Sequence, residues 1–164
     1  EADPGELTKV PGVGESAALL LHLVPQLGRM YMVDRTSAAQ VLPTLESCAQ
    51  YLVPRFFGRK TEAVFLLCLD AKGQLIREKK LSDGCVNMAL ISPREIFLEA
   101  LKDKAVNIIL VHNHPSGDPT PSRADRELTD NVAGAGEQMD IPLLDHIIIG
   151  DNRYTSFKEQ KLLR

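Results

Sequence analysis

Three nearly unbroken apolar runs constrain this chain most: EAVFLLCL (62–69), NIILVH (107–112) and LLDHIIIG (143–150). Short apolar runs rich in β-branched residues and bounded by turn residues read as strands buried in a sheet. D-A-K-G after the first is a hairpin turn, with QLIREKKL (74–81) as the returning partner. VNMALI (86–91) reads as a further strand and RYTSF (153–157) as the last, edge strand.

Helices fall between these runs. A short one starts near Thr44 and ends before Pro54, because the residue preceding a proline is disfavoured in helical geometry. Ser92-Pro93-Arg94-Glu95 opens another, with a capping box and a proline at the first helical position. Its inner face is assigned to Phe97, Leu98 and Leu101. A longer helix runs from about Ser122 to Met139. The expected class is mixed α+β, a mixed sheet with helices packed on it.

The chain has 164 residues, 44% of them hydrophobic and 25% charged, which is enough to bury a real core. A metal site would therefore serve function rather than folding. The formal charge of −3 gives no support for a broad nucleic-acid surface. No apolar run approaches the roughly 18 residues of a membrane span. The chain begins with Glu1 rather than Met, so a trimmed start is expected and missing targeting signals carry little weight. Cys48, Cys68 and Cys85 form no C-x-x-C pair, which excludes a zinc ribbon and fits free thiols in a reducing cytoplasm.

Residues 1–35 differ from the remainder. A polar start leads to Pro11-Gly12-Val13-Gly14 and then to an apolar helical stretch. Gly12 and Gly14 suit a tight turn whose amides, with that of Val13, can face outward. This stretch resembles the second half of a helix-hairpin-helix, a module that often grips DNA phosphates. A plain helical turn explains the same residues.

VHNHPSGDPTPSRAD (111–125) carries the chemistry. His112 and His114 stand at i and i+2 at a strand end, so their imidazoles point to one side. Pro115, Pro119 and Pro121 stiffen the loop that follows. A carboxylate at the start of the next helix completes a two-histidine, one-carboxylate set with an open position, the catalytic zinc pattern. Ser122-x-x-Asp125 is equally a capping box, and the two roles can coincide. Asp118 is a spare carboxylate in the loop, while Asp145 and His146 suit a structural or outer-layer place better than a ligand's.

His112, His114, Pro115, Ser122 and Asp125 match the signature of JAMM (MPN+) metalloproteases. HNHPSGDPTPSRAD with LLDHIIIGDNRYTSF more closely resembles the RadC family. That resemblance implies a partial helix-hairpin-helix over 1–35, a JAMM-like domain over 36–164 and a cytidine-deaminase-like fold. It also implies zinc held by His112, His114 and Asp125. Glu62 matches the glutamate that the pattern requires upstream, and Glu78 and Glu95 match it less well. The ion would activate a water, Glu62 would move its proton and the Ser122 hydroxyl would meet the developing oxyanion.

The implied reaction is hydrolysis of a peptide or isopeptide-like amide. Deamination is disfavoured because H-x-E with P-C-x-x-C is absent. H-N-H lacks the wider spacing of the nucleases that share those letters. Asn113 stands where the wider protease class carries Ser or Thr, and it marks the RadC-like branch. Gly84-Cys85 departs from the Gly-Thr usual there. Two other readings belong to different classes: a repair-associated DNA-binding protein acting through Gly12–Gly14, and a non-catalytic interaction scaffold.

Overall fold

A computed structural model of the chain describes residues 2–36, 45–84, 91–151 and 153–163. Helices α1 (Pro4–Leu7), α2 (Glu15–Thr36) and α3 (Leu45–Phe56) precede strands β1 (Ala63–Leu69) and β2 (Leu75–Asp83). Then follow α4 (Pro93–Lys102), β3 (Asn107–Asn113), α5 (Arg123–Met139), β4 (Leu143–Gly150) and β5 (Arg153–Ser156). The strands form one sheet in the order β2-β1-β3-β4-β5. Among the described residues only the β3–β4 pair is parallel, joined through α5, so the class is mixed α+β as expected.

Alternation along the strands divides the core between the two faces of the sheet. Val64, Leu66, Cys68, Ile108 and Leu110 pack with Ile96 and Phe97 of α4 and Leu128 and Val132 of α5. Phe65, Leu67, Ile109, Val111, Ile147 and Ile149 pack on the other face with Tyr51, Leu52 and Phe56 of α3. His112 continues the Ile108–Leu110 row, so its imidazole faces the α5 side. Parity alone sends Asn113 the other way.

Two helix expectations need correction. Helix α3 does not stop before Pro54 but runs to Phe56. Pro54 has no N–H for the i−4 carbonyl, a loss of one helical bond, and packing holds that turn in place. Phe56 is buried edge-on to Phe65 at 5.2 Å. Arg55 Nε reaches Glu78 Oε2 at 2.5 Å, and the Tyr51 hydroxyl donates to the same oxygen at 2.7 Å.

On α4 the buried residues are Ile96, Phe97 and Ala100, whereas Leu98 and Leu101 are about half exposed. The i, i+3, i+4 row runs through Ile96, so Leu98 and Leu101 turn toward solvent. Pro93 opens α4 as expected, and Ser92 Oγ accepts from the Glu95 amide, the Ser92 half of the expected capping box. Apart from Ile91, the strand expected over 86–91 lies outside the described residues, as does Cys85. Among the described residues no helix is long and apolar enough to cross a membrane.

Candidate metal centre

The site forms where β3 runs out beside the start of α5. The His114 amide still donates to the Ile149 carbonyl of β4 at 2.8 Å, so the loop leaves the sheet only after the second histidine. Gly117 then turns the chain at φ +81, a conformation that favours glycine. Gly150 lies under that turn, where a Cβ would stand 2.5 Å from the Gly117 carbonyl oxygen. These two glycines let the loop fold flat against the end of β4.

At the far end of the loop, Ser122 caps α5. Its Oγ accepts from the Asp125 amide at 3.2 Å, and Asp125 Oδ2 accepts from the Ser122 amide at 2.7 Å. This reciprocal cap aims the Asp125 carboxylate back at the strand end. The capping and metal-site readings of Ser-x-x-Asp are thus one structure.

His112 Nε2 and His114 Nε2 lie 3.1 Å apart. Asp125 Oδ1 is 3.2 Å from the first and Asp125 Oδ2 is 3.4 Å from the second. Ligands roughly 2.0–2.1 Å from a tetrahedral ion are separated by roughly 3.3 Å, so these spacings, two of them to different oxygens of Asp125, bring the three side chains within reach of one zinc-sized ion. Among the described residues this trio is the group of His, Cys, Asp and Glu side chains placed to hold a metal. His112 is fully buried and Asp125 is 1% exposed, while the His114 side chain keeps 19% of its surface.

Similar sequences occur in other proteins across nearly the whole chain. The RadC-like JAB domain matches residues 42–162. The chain belongs to the RadC family. A UPF0758 protein of Clostridium perfringens is 39% identical over 163 residues, covering 99% of this chain and 71% of the relative. A UPF0758 protein of Methanosarcina barkeri is 36% identical over the same length with the same coverage. One from Chlorobaculum tepidum is 39% identical over 158 residues, which are 96% of this chain and 71% of its own.

In this RadC-family site, Glu62 sits one residue ahead of β1, half-buried, with its carbonyl accepting from the Gly84 amide at 2.9 Å. Burial raises its carboxyl pKa above the ordinary range; nearby His114 opposes that shift and Asp125 adds to it. The carboxyl thus feels the charges of His114 and Asp125, while Glu62 itself stands outside the trio. Glu78 is engaged by Tyr51 and Arg55, and Glu95 stands in the first turn of α4.

Asn113 has a role that its sequence position did not reveal. Its Oδ1 accepts from the Ala63 amide at 2.8 Å, and its Nδ2 donates to the Thr61 carbonyl at 3.1 Å. The side chain thus grips the backbone on both sides of Glu62. The buried side-chain amide of one strand end therefore fixes the other strand's start. The only sequence signal was parity, which turns Asn113 away from His112.

The electrostatics of the cluster follow burial and pairing. Burial alone would raise the Asp125 carboxyl, but His112, His114 and the Ser122 cap outweigh it and hold the acid well below its usual range. Burial lowers the pKa of His112 against the opposing pull of Asp125. The more exposed His114 moves upward, chiefly through its bond with Asp125.

The other candidates fall into place around this cluster. Asp118 is exposed, and its Oδ1 is occupied by the amide and hydroxyl of Thr120. Its main-chain oxygen instead accepts from His114 Nδ1 at 2.8 Å. Asp145 accepts from the Ser156 hydroxyl and the Lys158 amide, tying β4 to the chain after β5. Gly12, Val13 and Gly14 lie in the turn between α1 and α2, where Gly12 has φ +89. There the Val13 amide closes onto the Val10 carbonyl at 3.1 Å rather than facing outward. A cavity of about 370 Å³ adjoins His114 and Asn113, walled by Phe56, Phe57, Arg59 and Asp151.

Proposed function

We propose that this RadC-family chain is a zinc-dependent hydrolase acting on a peptide or isopeptide-like amide. The observation that carries this reading is the convergence of His112, His114 and Asp125, with contacts of 3.1, 3.2 and 3.4 Å, together with a half-buried carboxyl at Glu62 that feels the charges of His114 and Asp125. Zinc bound there would supply a Lewis acid and lower the pKa of the water it holds toward 7.

The protein's own residues divide the remaining work. His112 and Asp125 form a buried floor, and His114 closes the trio from the rim. Glu62, with its pKa raised by burial, takes a proton and returns it to the departing amine. The Ser122 oxygen accepts from the Asp125 amide, which leaves its own proton to donate to a developing oxyanion. The cavity beside His114 offers the substrate an entrance lined by aromatic and charged side chains.

The test compares wild-type protein with Glu62→Gln in a fluorogenic peptide and isopeptide panel, after chelation and zinc reloading. Wild-type cleavage should vanish on chelation and return with zinc. E62Q should hold zinc but cleave at least about 100-fold more slowly. Equal rates in the two proteins would remove Glu62 from the reaction.

A further inference from the structure

A buried chain of hydrogen bonds runs behind the metal trio. His112 Nδ1 lies 2.9 Å from His146 Nε2, and His146 Nδ1 lies 2.6 Å from Thr129 Oγ1. Thr129 Oγ1 is in turn 2.6 Å from the main-chain oxygen of Asp125. His112 and His146 are fully buried and Thr129 is 1% exposed, so bulk solvent does not reach these bonds.

The fold explains why the three meet. In the parallel β3–β4 register, His146 pairs with Leu110, one step before His112 on the same face. Thr129 follows Asp125 by four residues on α5, one turn along the same side. The His146 ring is held from behind by Phe157, stacked with centroids 4.9 Å apart and planes 20° apart.

The direction of the protons follows from the last link. A carbonyl oxygen can only accept, so Thr129 spends its single proton on Asp125. Its oxygen then has only lone pairs to offer His146, whose Nδ1 must carry hydrogen. A neutral His146 protonated at Nδ1 has a bare Nε2, which accepts from His112 Nδ1. His112 is left with a lone pair on Nε2, the atom that faces His114 and Asp125.

We propose that His146 and Thr129 are positioning residues that set the ring proton of His112, committing its Nε2 lone pair to the metal. The inference rests on the zinc reading of the trio. It also links two ligands, because the chain that starts on the His112 ring ends on the backbone of Asp125. His114 is set more simply, by donating Nδ1–H to the Asp118 carbonyl. Outer partners of this kind typically change metal affinity by about 10–100-fold when removed.

The experiment is long-range nitrogen–proton NMR of the imidazoles at pH 8, zinc-free and zinc-loaded, with zinc affinity from chelator competition. Wild-type His146 should carry hydrogen on Nδ1 in both forms, with zinc on His112 Nε2. Thr129→Val removes the acceptor, so His146 should switch to Nε2–H and zinc affinity should fall about 10–100-fold. Thr129→Ser should restore both the tautomer and the affinity. Nε2–H on wild-type His146, or unchanged affinity in T129V, would overturn the relay. Failure of wild-type protein to bind zinc would instead sink the metal reading, and the zinc-free spectrum would still decide the relay.

Discussion

The floor and the rim of the candidate metal centre are built by different means. His112 and Asp125 are fixed by a sheet interior and a capped helix, with almost no surface exposed. His114, Glu62 and Ser122 are held by local devices: a loop carbonyl, the Asn113 grip and a helix cap. Burial gives the floor its fixed geometry, which suits holding an ion. The rim keeps some exposure to solvent, which suits the proton transfer proposed for Glu62. The two histidines show the split, since burial lowers the pKa of His112 while pairing raises that of His114.

Breaking the floor should have the largest effect. Asp125→Asn removes a ligand oxygen's charge and should abolish stoichiometric zinc uptake, read by calorimetry on chelator-stripped protein. Uptake close to wild type would show that the trio is not the binding site. Ser122→Ala addresses the rim: turnover should fall by about 10²–10³-fold if its hydroxyl meets the oxyanion. Its thermal stability should also drop by about 1 kcal/mol for the lost cap. A loss of stability without the loss of rate would leave Ser122 only as a cap.

Asn113→Ala should act on the rim alone. It frees the backbone around Glu62, so turnover should decline roughly tenfold or more as the carboxyl loses its fixed position. Zinc affinity should stay within a few-fold of wild type. A larger change in affinity than in rate would place Asn113 with the floor.

The smallest effect is the pH dependence of the zinc-free protein. His112 and His146 have lowered pKa values when folded, so unfolded chains take up protons first as pH falls below about 6.5. Their contribution to stability is complete above that pH and is lost on acidification. His114 has the opposite sign: its contribution is complete below about 6.5 and is lost as pH rises through its raised folded value. Melting curves for wild type and His114→Ala should therefore diverge most below about pH 6.5 and converge above the raised value. Parallel curves across that range would contradict the split.

The metal motif was legible because its chemistry sits in one short stretch, where strand parity and a helix cap are set by neighbours in sequence. The central strands were legible because sustained apolar runs leave few alternatives. Other features depend on tertiary contacts. Pro54 stays helical because Tyr51, Arg55 and Phe56 are anchored from β1 and β2. Leu98 and Leu101 matched an apolar pattern, but the sheet selected the Ile96 row. His146 reads as an outer-layer residue from sequence, yet its link to Thr129 requires the parallel register of β3 with β4. The Asn113 grip on Glu62 spans fifty residues, from 63 to 113, and only folding reveals it.

X-ray absorption at the zinc edge of the reloaded protein reads the coordination shell itself. One zinc per chain is expected, with nitrogen and oxygen neighbours at about 2.0–2.1 Å, including two imidazoles, and no sulfur. Sulfur scattering at about 2.3 Å, or a shell lacking either imidazole, would contradict a centre built from His112, His114 and Asp125.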